Sequence, residues 1–282
     1  MNLYCRLSVA KKALGGFGSG TGQDAALLTA IESVSRELDT LTGRRFYARD
    51  AQTVYAGRAG SYFSPAAELR LPMDFASLTT VTVDEDGDGV YELTLVENTD
   101  YWTEPENRET HEPITALYLD PNGTQLGAWP RHRRAVKLVG ATGYSRETEL
   151  TGSLLSAAIA STSATTFTID DGTDVEVGET IIVDSEQMDI TAISTNTLTV
   201  VRGINGSTAA THLDNAVVYR RRYHRIVEAA CAMKVSREFR GAQVGHLEPI
   251  GADTVGAGSM NPTYPMLMEK IYQLRSGAGM VA

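Results

Sequence analysis

Between Asp24 and Thr42 the apolar residues Leu27, Leu28, Ile31, Val34, Leu38 and Leu41 recur at helical spacing, while Glu32, Arg36, Glu37 and Asp39 fall mostly on the remaining surface. The spacing predicts an amphipathic helix packed on one side. Asp24 places a negative charge where a helix start favours it, and Gly43 can take the left-handed conformation that closes the last turn. A shorter helix is expected within Leu3 to Leu14, joined to the first by the glycine-rich GGFGSGTG. Helical spacing returns over Tyr223 to Arg240, where Ile226, Val227, Ala230, Cys231, Val235 and Phe239 share a side. A last helix is expected over Tyr264 to Arg275, with Pro265 suited to its first turn. Its stripe of Leu267, Ile271 and Leu274, with Met266 beside them, follows a Gly- and Pro-rich tether and has the form of an arm that docks on a neighbour, packing back onto its own domain being at least as common.

From Phe46 to Ser145 the period changes to two. Val81 and Val83 alternate with threonines, and Tyr91, Leu93 and Leu95 alternate with other residues, which predicts antiparallel strands. Pro72, Pro105, Pro113, Pro121 and Pro130 are expected to break this region into short pieces. Between Arg146 and Arg220 the composition shifts to Thr, Ser, Ala, Val, Ile, Asp and Gly, and TTFTID, DVEVG, ETIIVD, QMDITAIS, NTLTVV and NAVVYR read as short strands. The expected organisation is residues 1–145 as an N-terminal helix with antiparallel strands, 146–220 as an inserted β-module, and 221–282 as a C-terminal helix with a flexible arm. The fold class this implies is α+β, with a small β-barrel or sandwich as the insert.

Composition narrows the function classes. The formal net charge of −10 argues against a surface that grips nucleic acid throughout, since phosphate neutralisation needs Lys and Arg in excess. The apolar positions of MNLYCRLSVAKKALGG are interrupted by Arg6, Lys11 and Lys12, and no stretch approaches the roughly 18 apolar residues of a membrane span, so a protein that stays inside the cell is expected. Cys5 and Cys231 have no metal-binding spacing and are expected to be buried or unreactive.

Candidate chemistry is sparse. After Gly22 comes Gln23 where a phosphate loop needs Lys. Asp84, Asp86, Asp88 and Gly89 match the opening of an EF-hand loop, yet Leu95 stands where its bidentate Glu belongs, so a hairpin turn is the better reading and no metal or other cofactor is expected. His111 and Glu112 are followed by Pro113, and Thr115 stands where the second His of a zinc-protease helix should be. The sequence therefore points away from an enzyme. Two basic runs stand out: Arg131, His132, Arg133 and Arg134, and the longer Arg220, Arg221, Arg222, Tyr223, His224 and Arg225. Both are expected on a solvated face or against an acidic protein partner, which makes their arginines candidate interface residues. Arg44 and Arg45, at a helix C-terminus, read first as structural.

The helix ending TGRRFY, the hairpin DEDGDGVYELTLVENTDYWTEPEN, the strand PITALYLD, the segment RAVKLVGATGYS and the helix RIVEAACAMKVSREF, taken in order, resemble the head-tail connector (adaptor) proteins of tailed bacteriophages. The segment VEVGETIIVDSEQMDITAISTNTLTVVRGINGSTAATHLDNAVVY looks like an insert that recurs in phage virion proteins. The resemblance implies a compact, mainly helical adaptor core, from whose simplest pattern the β-rich middle region and the inserted module depart, and a ring, commonly of twelve copies, at the virion neck after assembly in the host cytoplasm. Its implied partners are further copies of itself, the portal protein and a stopper or tail-completion protein, with double-stranded DNA crossing the opening without sequence-specific binding. Arg220, Arg221 and Arg222 are then expected to face carboxylates such as Glu147 and Glu149 of a ring neighbour. The alternative reading is a phage tail or baseplate component whose β-module binds a surface carbohydrate, against which the scarcity of aromatics in the module counts.

Overall fold

The computed structural model describes residues 1–15, 20–57, 67–109, 111–123, 125–243, 269 and 271. They form two compact units: Met1–Phe46 with Thr148–Ile204 and Thr208–Ala282, and Tyr47–Glu147 with Asn205–Ser207. The fold is mostly β, which corrects the expected helical adaptor core with a β-rich middle. Among the described residues two antiparallel sheets of six strands outweigh three helices with described bounds. The reason is the length of chain with a two-residue period: among the described residues between Arg49 and Arg221 the regular structure is strand apart from two short 3-10 turns.

In the first unit α1 (Leu7–Ala13), α2 (Asp24–Thr42) and α3 (Arg225–Gln243) pack on one another. Helix α2 buries Leu27, Ile31, Val34 and Leu38 as its spacing predicts, but Leu41 is exposed and Ser35 and Thr42 take the remaining inward positions. Their hydroxyls can be buried because each donates back to a carbonyl one turn earlier, Ser35 to Ile31 and Thr42 to Leu38, both at 2.7 Å. Helix α3 buries Val227, Ala230, Cys231 and Val235. Ser35 Oγ lies 3.8 Å from Cys231 Sγ, and Lys234 Nζ lies 3.0 Å from Glu37, so the two helices meet although these residues are far apart in sequence. Gly43 closes α2 at φ 69°, its N–H donating to the Asp39 carbonyl at 2.9 Å.

Tyr4 is the hub of this packing. Its buried ring meets Phe46 edge-on at 5.5 Å and Tyr223 at 5.0 Å between centroids. Its hydroxyl donates to Asp39 and accepts from the Phe46 N–H at 3.0 Å. Burial holds both the Tyr4 hydroxyl and the Asp39 carboxyl above their usual ranges.

The sheet of this unit contains β7 (Thr148–Leu154), β8 (Thr166–Thr168), β9 (Thr180–Val183), β10 (Glu186–Ser194), β11 (Thr197–Val201) and β12 (Val217–Arg221), in the order β7-β12-β9-β10-β11-β8. A bridge between Leu155 and Ile169 ties together the extensions of its two outer strands. Leu155, Phe167, Ile181, Met188, Ile190 and Val218 are buried among its core residues. Strand β7 is not among the strands expected from sequence, whereas DVEVG is no strand. There the Asp171 side chain accepts from the Thr173 N–H at 2.8 Å and starts a 3-10 turn, Gly172–Asp174.

The second unit contains β1 (Arg49–Ala56), β2 (Glu68–Val83), β3 (Leu93–Leu95), β4 (Tyr101–Glu104), β5 (Ile114–Leu119) and β6 (Val136–Thr142), ordered β1-β6-β2-β5-β4 with β3 added to β2. Pro72 does not break β2; the register with β5 shifts between Arg70 and Phe75, so the proline sits where the ladder is interrupted. The core is apolar and includes Leu69, Phe75, Leu117, Trp129 and Leu138, with the Trp129 ring N–H donating to the Ala67 carbonyl at 2.7 Å. Gly140 is required in β6 because a Cβ there would stand 2.2 Å from the Ser77 carbonyl oxygen.

Candidate functional site

A cleft of about 180 Å³ lies in the first unit, walled by Leu3 to Leu7, by the loop Val177 to Thr180, and by the end of β12 running into the start of α3. Five arginines line it, Arg6, Arg220, Arg221, Arg222 and Arg225, against Glu149, Glu179 and Glu228. The fold thus gathers the four arginines of the longer basic run at one place and adds Arg6. A single Arg in an otherwise ordinary N-terminal segment carries no sequence signal for this.

The arginines differ in what they face. Arg220 stands directly opposite Glu149 in the pairing of β12 with β7, its Nε 3.5 Å from that carboxylate, and its Nη1 donates to Glu179 at 3.2 Å. Its Nη2 donates to the Asp174 carbonyl at 2.5 Å. The pairing of Arg220 with Glu149 expected between neighbours is therefore made inside the chain, because cross-strand register brings the two together. Burial pushes the Glu179 carboxyl up, against the pull of Arg220. Arg221 is buried, whereas Arg222 and Arg225 are exposed. Arg6 faces Glu228 at 3.9 Å. The helix α1 it precedes has no cap from Arg6; instead the Glu176 carboxylate accepts from the Ser8 N–H at 2.8 Å.

The other basic run belongs to the second unit. Arg131, Arg133 and Arg134 are all exposed, and the Arg134 guanidinium lies 3.9 Å from the centroid of the Tyr55 ring. Of the expected docking arm, Ile271 is helical and buried, while Met266, Leu267 and Leu274 lie outside the described residues.

The turn Asp84 to Gly89 follows β2. Asp84 is buried and accepts from the N–H groups of Gly87 at 2.7 Å and Gly89 at 3.0 Å, while Asp86 and Asp88 each accept from a backbone N–H two residues on. Carboxylate oxygens of Asp84, Asp86, Asp88 and Glu92 lie within 4.8 Å of one another. Burial opposes ionisation of Asp84, but the two glycine N–H bonds and His132 outweigh it and hold the carboxyl below its usual value.

A charged cluster that sequence reasoning missed centres on Glu186, which is 0% exposed. Its Oε1 accepts from Arg202 Nε at 2.9 Å and Gly203 N at 3.1 Å; its Oε2 accepts from Arg202 Nη2 at 2.5 Å and Ala210 N at 2.9 Å. His212 Nε2 meets the same Oε2 at 2.9 Å while its Nδ1 meets Asp184 at 2.7 Å. Arg202 also donates to the carbonyls of Ser161 and Ala210. These bonds tie the long loop after β11 and the segment before β8 to the sheet. The network is bonded throughout, which suits a structural pin. The signal available in sequence was Arg202 and His212 bracketing a loop with little apolar content of its own.

Cys5 and Cys231 are both buried and free. A hydrogen bond with Cys231, then burial, pushes the Cys5 thiol well above its ordinary range, which keeps it from acting as a thiolate. No helix among the described residues is long and apolar enough to cross a membrane. No protein-family description, curated protein or solved structure matches this chain.

Proposed function

We propose that this protein is a structural component of a tailed-bacteriophage virion, a head-tail connector subunit that forms a ring beneath the portal and joins capsid to tail. The observation that carries this reading is the meeting of α2 with α3. The two helical stretches that contribute to the resemblance, DAALLTAIESVSRELDTLTGRRFY and RIVEAACAMKVSREF, pack on one another through Ser35 and Cys231, which are 196 positions apart. The resemblance thus concerns two pieces of one packed unit and not two unrelated helices. The net charge of −10 supports a DNA-conducting role, because an acidic opening repels the phosphate backbone and lets a duplex pass without counterion-release attraction. Mixing the protein with the portal encoded beside it and imaging the particles in negative stain tests the reading. A ring added at one end of the portal, with a central opening, is the expected result. Absence of association at both low and moderate salt overturns it.

A further inference from the structure

We propose that the basic cleft of one copy receives the acidic turn Asp84 to Asp88 of a second copy, an inference that rests on the ring reading above. Within the cleft Arg220 is matched by Glu149 and Glu179, and Arg6 faces Glu228. Arg222 and Arg225 are exposed and have no ion pair among the described residues. Five arginines against three glutamates leave a positive excess in a chain whose overall charge is strongly negative. The first turn of α3, which carries Arg225 and Glu228, adds the positive end of a helix dipole. A cleft of about 180 Å³ admits carboxylate side chains and excludes a nucleic acid duplex.

The acidic turn has the complementary build. Asp84 clamps it from inside through Gly87 and Gly89, so its shape is set before any partner arrives. Glu85, Asp86 and Asp88 are exposed on this rigid tip. The carboxylates of Asp84, Asp86, Asp88 and Glu92 crowd within 4.8 Å, so the tip gains from meeting cations that relieve the repulsion. Cleft and turn are different patches on one chain, as a head-to-tail contact that closes by rotation requires. Arginine against carboxylate also fixes register through bidentate hydrogen bonds.

The test is a charge exchange between copies, using exposed residues so that folding is retained; circular dichroism checks this. One variant carries Arg222→Glu and Arg225→Glu, the other Glu85→Lys and Asp86→Lys. Self-association is followed by sedimentation velocity at low salt, alone and with portal added. Each variant is expected to self-associate about tenfold more weakly or worse than the unaltered chain, and an equimolar mixture of the two is expected to recover association, because each reversed cleft then meets a reversed turn. Three results overturn the inference: association insensitive to either variant, loss in both with no recovery on mixing, or no self-association of the unaltered chain even on portal. Portal binding is scored separately in each case. Portal binding without cleft-to-turn pairing sinks this inference alone, whereas loss of portal binding by the unaltered chain sinks the connector reading.

Discussion

The two six-stranded sheets are built on different physics. The sheet of the second unit closes over an apolar core of Phe75, Trp129, Leu117 and Leu138, and its stability comes from area removed from water and from shape. The sheet of the first unit also has an apolar core, but beside it lies the charged network of Glu186, Arg202 and His212, and Gln187, Asp189, Thr180 and Ser153 are buried with it. A desolvated network is costly to leave half-made, so it specifies one arrangement of the loop it ties down. The comparison teaches that one unit should fail by losing a charge and the other by losing volume.

The largest effect should come from Glu186→Gln. It strands the Arg202 guanidinium without its counter-charge, and breaking a buried pair from one side costs about 3–5 kcal/mol. Both tryptophans, Trp102 and Trp129, lie in the second unit. Urea unfolding of E186Q should therefore show an early transition by far-UV circular dichroism with an unchanged midpoint by tryptophan emission. Equal shifts in both signals would mean that the two units unfold as one.

Phe75→Ala is the reciprocal change. It empties a fully buried ring site and should cost about 3–5 kcal/mol, moving the tryptophan midpoint and leaving the first unit's transition in place.

Acid should separate the units next. Burial alone would raise the Glu186 carboxyl, but hydrogen bonds from Arg202, the Ala210 N–H and His212 hold it below the ordinary 4.5. A carboxylate whose folded value is depressed contributes stability above its unfolded value, and that contribution is lost as pH falls through the folded one. Glu179, raised by burial, has the opposite sign and gains stability as it protonates. The stability gap between the unaltered chain and E186Q should therefore narrow on acidification below about pH 4.5 when melting is followed from pH 6 to pH 3, because only the unaltered chain loses the Glu186 contribution while Glu179 and Asp39, both raised by burial, act alike in the two. A gap that stays constant would assign any acid loss to other carboxylates.

The smallest effect belongs to Leu213, 78% exposed in the loop next to His212. Leu213→Ser should change stability by no more than about 0.5 kcal/mol, showing that the loop is held by its polar anchor and not by its apolar residue. A shift in melting well beyond that would break the distinction.

The helices were legible because their signals are local: period, Asp24 and Gly43 all act within a turn or two. The overall fold class was not, because weighing helices against sheets depends on pairing between distant strands. Strand β7, TELTGSL, has little apolar content and a left-handed Gly152 at φ 103°, so nothing near it in sequence announces its partnership with β12. Pro72 misled for the related reason that a shift of register can absorb a proline the local pattern treats as a stop. At the cleft, the run Arg220 to Arg225 was legible as a cluster of charge. That Arg220 is already matched by Glu149 was hidden in the strand register.

The second unit is nearly continuous in sequence, while the first must wait for α3. Synthesis at about 5–20 residues per second brings Cys231 out roughly 10–40 s after Ser35, its partner 196 positions earlier. Throughout that interval the stripe of Leu27, Ile31, Val34 and Leu38 has no α3 to cover it, so the nascent chain carries an uncovered apolar helix face before the unit can close.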